Sequence, residues 1–342
     1  MRVTNSALDV IGNSTYVNLK TFKHHNLDFK LEQYNLTGSV KDKNALYFIN
    51  KAKQQGLLAE GGTIIESSSG NFGIALTVVG RQLGHRVKIV IDNKTSRSMK
   101  RLLEIYGAEI LEIGSEHCDD AGSMQKARMA YAKKVQEETP NSWYACQHLN
   151  PMTSEVHYHT TALEIEKQYN GAPDIIVVGV STAGQLSGIS RFFREKYPNT
   201  KIWGVDVKGS GVFTKDRHPY KMTGLGLSFT PPAFQWDLID RAFCVSDELS
   251  FSLCYYLAKE EGLFMGASSG AVMSATLNGL QTEASGQTVC MISADSGQRY
   301  LDTVFNAQWL QENNINIFNE KECLQQIDKV IEHKKVLNEQ IV

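Results

Sequence analysis

The sequence predicts an α/β protein with mainly parallel sheets covered by helices, and three observations carry that prediction. Apolar runs rich in Val and Ile alternate with helical stretches along most of the chain. Those runs are continuous rather than alternating with polar residues, as strands buried on both faces are. Loops of small polar residues recur where such a run gives way to a helix, which is the rhythm of crossover connections between parallel strands. At 342 residues the chain exceeds one small core and suggests two domains.

Taken in order, FKLEQ (29–33) reads as a strand before the loop GSVKD, and a helix follows from Asn44 to Gln55. TIIES (63–67) leads through SSSGNFG into an apolar helix, Ile74 to Leu83. VKIVID (87–92) precedes a helix that ends at Gly107, and EILEI (109–113) comes next. A long helical stretch spans Ala121 to Glu138. The segment 139–160, with Pro140 and Pro151, reads as irregular and as a crossing between domains. DIIVVGV (174–180), KIWGVDV (201–207) and TVCMISA (288–294) are further strands. The expected division is a larger domain from 1–43 and 151–310, a smaller one from 44–150, and a helical tail from 311–342. No repeat or low-complexity tract interrupts this order.

Composition removes several function classes. Hydrophobic residues make up 42% and charged residues 21%, an ordinary globular balance. A formal net charge of −2 lacks the clustered cationic excess that phosphate neutralisation needs, so no nucleic-acid partner is expected. No apolar run reaches the length of a signal sequence core or a membrane span, which predicts a cytoplasmic protein with no membrane partner. Six cysteines occur with no CxxC pair, so reduced thiols are expected rather than disulfides or zinc. His157, Tyr158 and His159 lack an acidic or cysteine partner at ligand spacing, and no metal is expected.

Four loops carry the chemistry. Lys41 sits behind Gly38-Ser39-Val40 at a helix start, where backbone on both sides would pin it. A rigidly held lysine with a lowered pKa is the type that forms Schiff bases, although a solvated lysine at a helix start gives the same letters. Ser67, Ser68, Ser69, Gly70, Asn71 and Phe72 place hydroxyls and free N–H groups at a helix N-terminus, which suits a carboxylate. Simple N-capping would explain one of those serines. Ser181, Thr182, Ala183, Gly184 and Gln185 form a candidate phosphate cradle after a buried strand. Gly266 to Ala271, GASSGA, enters a small-residue helix and offers a hydroxyl, or alternatively close helix packing.

An amine, a carboxylate cradle, a phosphate cradle and a buried hydroxyl together describe a pyridoxal phosphate site. The order GSVKD, SSSGNFG, STAG, GASSGA and SADSGQRYLDTVF resembles the cysteine synthase and cystathionine β-synthase family over residues 8–310. That resemblance implies the fold type II, tryptophan synthase β-like architecture, with pyridoxal 5'-phosphate in a cleft between two parallel-sheet domains. It implies small amino-acid substrates and a homodimer. It also makes Lys41 the Schiff-base lysine and general base, Asn71 the partner of the cofactor's ring hydroxyl, and Ser181 to Gln185 the phosphate loop. Ser67 to Gly70 and Phe72 become the grip on the substrate carboxylate. Ser268 faces the pyridine nitrogen, and a neutral hydroxyl there gives a weaker electron sink than an aspartate would.

STAG, VDVKGSGVF and the HYH triplet resemble the siderophore-pathway branch of the family, which joins O-phosphoserine to glutamate. On that likeness Arg128 corresponds to the arginine for the substrate phosphate, with Ser181 assisting, and His148 stands where the branch has a tyrosine. Two further departures are Leu36, where the family has proline, and Lys43, where it has arginine. The expected reaction is a β-replacement on an O-activated L-serine with an amino-acid nucleophile such as L-glutamate, giving a 2,3-diaminopropionate siderophore precursor. Cysteine synthase, cystathionine β-synthase and dehydratase activities remain alternatives, as does an exposed, ion-paired Arg128. An inactive homologue retained as a binding partner is an alternative of another class.

Overall fold

The computed structural model describes residues 4–22, 24–114, 116 and 124–333. In chain order the elements begin with β1 (Tyr16–Asn18), β2 (Asn26–Leu31), α1 (Lys41–Gln54), β3 (Thr63–Ser67), α2 (Asn71–Gln82) and β4 (Arg86–Asp92). There follow α3 (Arg97–Tyr106), β5 (Glu109–Ile113), α4 (Gln125–Glu138), β6 (Ser142–Tyr144), α5 (Met152–His159) and α6 (Thr161–Tyr169). Then come β7 (Ile175–Gly179), α7 (Gly184–Lys196), β8 (Lys201–Val207), β9 (Arg241–Val245), α8 (Asp247–Glu260) and α9 (Ala267–Leu280). The described chain closes with β10 (Thr288–Ser293), α10 (Ala307–Glu312), α11 (Glu320–Ile327) and β11 (Ile331–His333).

The strands form two sheets. The larger has the order β1-β2-β10-β7-β8-β9-β11 and the smaller β5-β4-β3-β6. The smaller sheet is parallel throughout, and the larger is parallel except at its two edges, where β1 and β11 run antiparallel to β2 and β9. β3 is buried at every position, which accounts for the adjacent apolar residues Ile64 and Ile65. Each sheet has a hydrophobic core on both faces. α8 and α9 cover one face of the larger sheet and α6 and α7 the other, while α1 to α3 and α4 enclose the smaller.

Local signals set several ends. Ser96 accepts a hydrogen bond from Met99 N–H to start α3, and Gly107 ends it at φ 86°, in the left-handed region that favours glycine. Ser246 caps α8, and Asn319 with Glu322 forms a capping box on α11.

Several boundaries differ from expectation. β2 begins at Asn26 and stops at Leu31, because Glu32 turns into a buried charge cluster and the chain enters a short 3₁₀ turn. The segment 139–160 is not irregular: it holds β6 and α5, and α5 starts directly after Pro151. The expected helix from Ala121 is described from Gln125, and 121–123, like Cys118, lie outside the described residues. The tail contributes α11 and strand β11, and its Cys323 and Ile327 join the larger core; residues 334–342 are not described. Met152, Leu8 and Ile11 pack on the core of the smaller sheet, across the expected domain boundaries. Among the described residues, no helix is long and apolar enough to cross a membrane.

Candidate active site

The C-terminal ends of strands from both sheets meet around a cavity of about 270 Å³. In open α/β sheets this is where ligands bind. Lys41 opens α1 and lines the cavity. Its loop is fastened to the end of β10, since Val40 N–H donates to the Ala294 carbonyl at 2.9 Å and Ser39 bridges to Asp295. Gly38 takes φ 87°, which makes the turn before the lysine depend on glycine. Burial lowers the Lys41 pKa to about 8, against an opposing pull from the Asp295 carboxylate. Lys43, two residues on, points elsewhere: its ammonium lies 2.9 Å from Glu32 and 2.7 Å from Glu164.

The loop between β3 and α2 lines one wall with Ser67, Ser68, Ser69, Gly70, Asn71 and Phe72. Its serines divide their work. Ser68 Oγ accepts from Gly73 N–H at 3.1 Å and so serves α2, whereas the buried Ser67 hydroxyl has no partner among the described residues. Asn71 Nδ2 donates to Asp295 Oδ2 at 2.6 Å.

Opposite, Ser181, Thr182, Ala183 and Gln185 line the cavity from the β7–α7 turn, and Ser268 lines it from α9. Ala183 adopts φ 60° and leaves the first turn of α7 without a side-chain cap. Gly184, which does not line the cavity, is required for packing: a Cβ there would lie 2.1 Å from Thr153 Cγ2. Gln185 Nε2 is buried and unpartnered among the described residues. The GASSGA glycines also fulfil the packing alternative, since a Cβ on Gly270 would stand 1.8 Å from the Ser250 carbonyl.

The remaining wall is polar and deep. Arg128, on α4, is only 6% exposed, which removes the exposed-helix reading. Its Nε lies 3.3 Å from Asp92 Oδ2, and its Nη1 has no hydrogen-bond partner among the described residues. His148 stands on the same wall with an unpartnered Nδ1, and burial lowers its pKa to about 4, so the imidazole is neutral. Behind both, Glu66 accepts from Ser67 N–H at 2.7 Å and Gln147 N–H at 3.1 Å, which ties two cavity loops together.

Several lining residues carried no role in the sequence reading, Asp295, Tyr220 and Thr223 among them. Asp295 lay inside a quoted motif, while Tyr220 and Thr223 come from a loop with no strand-to-helix signal. The HYH triplet disperses. His157 Nδ1 pairs with Thr161 Oγ1 at 2.9 Å, Tyr158 contacts Phe192, and His159 stacks on Tyr47.

A family model described as pyridoxal-phosphate dependent enzyme matches residues 7–295. The chain belongs to the pyridoxal-phosphate dependent enzymes. A curated relative, N-(2-amino-2-carboxyethyl)-L-glutamate synthase of Cupriavidus metallidurans, is 34% identical over 90% of this chain and 92% of its own. Among solved structures, O-ureido-L-serine synthase is 28% identical with TM-score 0.83, covering 95% of this chain and all of that one. The O-acetylserine dependent cystathionine beta-synthase of Helicobacter pylori is 29% identical with TM-score 0.83, covering 89% of this chain and 99% of that one. As a fold type II member, this pyridoxal-phosphate dependent enzyme uses pyridoxal 5'-phosphate.

The cavity suits that cofactor on its own terms. It joins a lysine of lowered pKa to an uncapped α7 N-terminus with an unsatisfied Gln185 amide, which suits a phosphate. At pH 7.5 a lysine of pKa near 8 is neutral in about a quarter of molecules, against about one in a thousand for an ordinary lysine. The rate at which cofactor-free protein captures pyridoxal phosphate is therefore expected to rise about tenfold per pH unit below 8 and level off above it. Stopped-flow absorbance across pH 6–10 checks this; a rise that continues to pH 10 would contradict it.

Proposed function

We propose that this enzyme performs a β-replacement on O-phospho-L-serine with an amino-acid nucleophile such as L-glutamate, yielding a 2,3-diaminopropionate-type siderophore precursor. The observation that carries the phosphate preference is the buried Arg128 Nη1, unpartnered on the cavity wall beside a neutral His148. A guanidinium N–H without a partner in a buried site is a costly arrangement unless an anion completes it. The name of the Cupriavidus metallidurans relative supports the glutamate part of the reading.

In this reading Ser67 and Ser69 hold the substrate carboxylate at the start of α2, and Asn71 and Ser268 orient the cofactor ring. Ser181 to Gln185 receive the cofactor phosphate at the start of α7. Bound pyridoxal phosphate supplies an electron sink for the Cα–H bond electrons, which permits a β leaving group to depart. Lys41, whose lowered pKa supplies a neutral fraction near physiological pH, removes the Cα proton and returns it after the nucleophile has bonded to Cβ. Arg128 receives the departing phosphate, and His148 borders the space left for the nucleophile. The same reading includes a cytoplasmic homodimer, for which sedimentation should show a species of twice 38.1 kDa rather than a monomer.

The deciding experiment is mass spectrometry of products formed from O-phosphoserine or O-acetylserine with sulfide and a panel of amino acids. A diaminopropionate adduct of glutamate made from O-phosphoserine supports the reading. Cysteine from sulfide, or cystathionine from homocysteine, as the preferred product would replace it with a cysteine synthase or cystathionine β-synthase activity.

We further propose that the unit containing the smaller sheet, within 44–150, closes over bound substrate. Its Ser67–Asn71 loop faces the cofactor-side wall across the cavity, so carboxylate binding draws the two walls together and excludes water. Free and substrate-bound crystals should differ by a rotation of this unit against the larger sheet. Superposition without relative movement would remove closure from the mechanism.

A further inference from the structure

Asp295, two residues past the end of β10, is a carboxyl side chain only 1% exposed, in the same cavity as Lys41. Its Oδ2 accepts from Asn71 Nδ2 at 2.6 Å and from the Tyr300 hydroxyl at 2.7 Å. Its Oδ1 has no partner among the described residues. That oxygen fills the space beside Gly266, where a Cβ would come within 1.9 Å of it. Burying a half-satisfied carboxylate is unfavourable, so its position calls for a reason beyond stability.

We propose that Asp295 is a positioning residue for the reaction: it fixes the amide of Asn71 toward the cofactor ring and sets a negative charge beside the Lys41 amine. The first role follows from hydrogen-bond inventory. With Nδ2 donating to Asp295 Oδ2 at 2.6 Å, the remaining N–H and the Oδ1 of Asn71 take defined directions. An amide at 295 could donate as well as accept and would leave Asn71 free to flip. The contact also spans the cleft, since Asn71 begins α2 over the smaller sheet and Asp295 follows β10 of the larger.

The second role follows from charge. Asp295 favours the protonated Lys41 amine and so opposes the effect of burial. Burial raises the Asp295 pKa, and the Tyr300 hydroxyl, the Asn71 amide and the Arg299 charge oppose that rise. His148 and His157 on the Lys41 side are kept neutral by burial, and Tyr300 is held well above the ordinary tyrosine range. Asp42, next to Lys41 in sequence, turns its carboxylate to Thr37 at 2.6 Å.

This inference rests on Lys41 and Asn71 meeting the cofactor, an assignment that borohydride trapping followed by peptide mapping of the unaltered enzyme tests separately. The inference itself is tested with Asp295→Asn, which keeps the shape and removes the charge. The pH midpoint for pyridoxal phosphate capture by the cofactor-free variant is expected about one unit lower than in the parent. The visible absorbance maximum of the loaded variant is expected to move, because the donor to the ring oxygen is no longer fixed. An unchanged midpoint together with an unchanged maximum overturns the proposal. Should Asp295→Asn not fold, Asp295→Ser, which also removes the charge, carries the test: a lowered capture midpoint with a moved maximum supports the proposal, and an unchanged midpoint with an unchanged maximum overturns it.

Discussion

Lys41→Ala is expected to leave a folded protein whose turnover has fallen by at least about three orders of magnitude. Folding should survive because the substitution removes a buried ammonium that its surroundings disfavour, as the lowered pKa of about 8 records. Among the described residues, Lys41 is the lysine that lines the cavity. Lys43 cannot take its place, since it is held between Glu32 and Glu164 in a buried cluster that includes Lys30. Lys41→Arg separates the two properties of the side chain: it keeps the charge, lacks a nucleophilic amine at any accessible pH, and should be as inactive as the alanine variant. The measurements are steady-state turnover and borohydride trapping with mass spectrometry of the peptide. A cofactor adduct that survives in Lys41→Ala would sink the assignment.

Much of this arrangement was legible in the sequence, for a physical reason that also explains what was not. β3, β5 and β8 run over the residues their apolar letters predict. Parallel strands covered by helices have few polar positions, so their ends stand out against the small polar loops that follow. β9 and β6 were not read, because RAFCV begins with arginine and no small polar loop leads from it into a helix, and SWY has only three residues. α5 had a start signal in Pro151, a residue favoured at helix beginnings, yet the same proline also reads as a breaker. The four loops could be grouped from sequence because each is a complete local motif. Asp295 could not be given a role in that way: its partner Asn71 lies 224 residues away, and only the approach of the two sheets makes them neighbours. Arg128 illustrates the same limit, since its helix carries little amphipathic pattern and its burial comes from Asp92 and the cavity wall.

Substitution of Arg128 has the next largest expected effect, and its value lies in selectivity between two donors. O-Phosphoserine carries a dianionic leaving group, while O-acetylserine carries a neutral ester. A charge-assisted contact from Nη1 should therefore act on the first alone, contributing roughly 1.5–3 kcal/mol, or about 10- to 150-fold in kcat/KM. Arg128→Ala tests this directly but has a second consequence: it leaves Asp92, and the nearby Glu66, without their cation in a buried setting. Removing one partner of a buried pair costs about 3–5 kcal/mol of stability. Arg128→Lys keeps a cation for Asp92 and loses the planar fork that reaches the cavity, so it isolates the substrate contact. The expected result is that both variants lose O-phosphoserine use by the stated factor, that the lysine variant melts close to the parent, and that O-acetylserine use changes little in Arg128→Lys. Equal losses with both donors in the lysine variant would assign Arg128 to the scaffold behind the cavity. A parent enzyme that prefers O-acetylserine would remove the phosphate reading altogether, leaving Nη1 to meet a carboxylate of the second substrate.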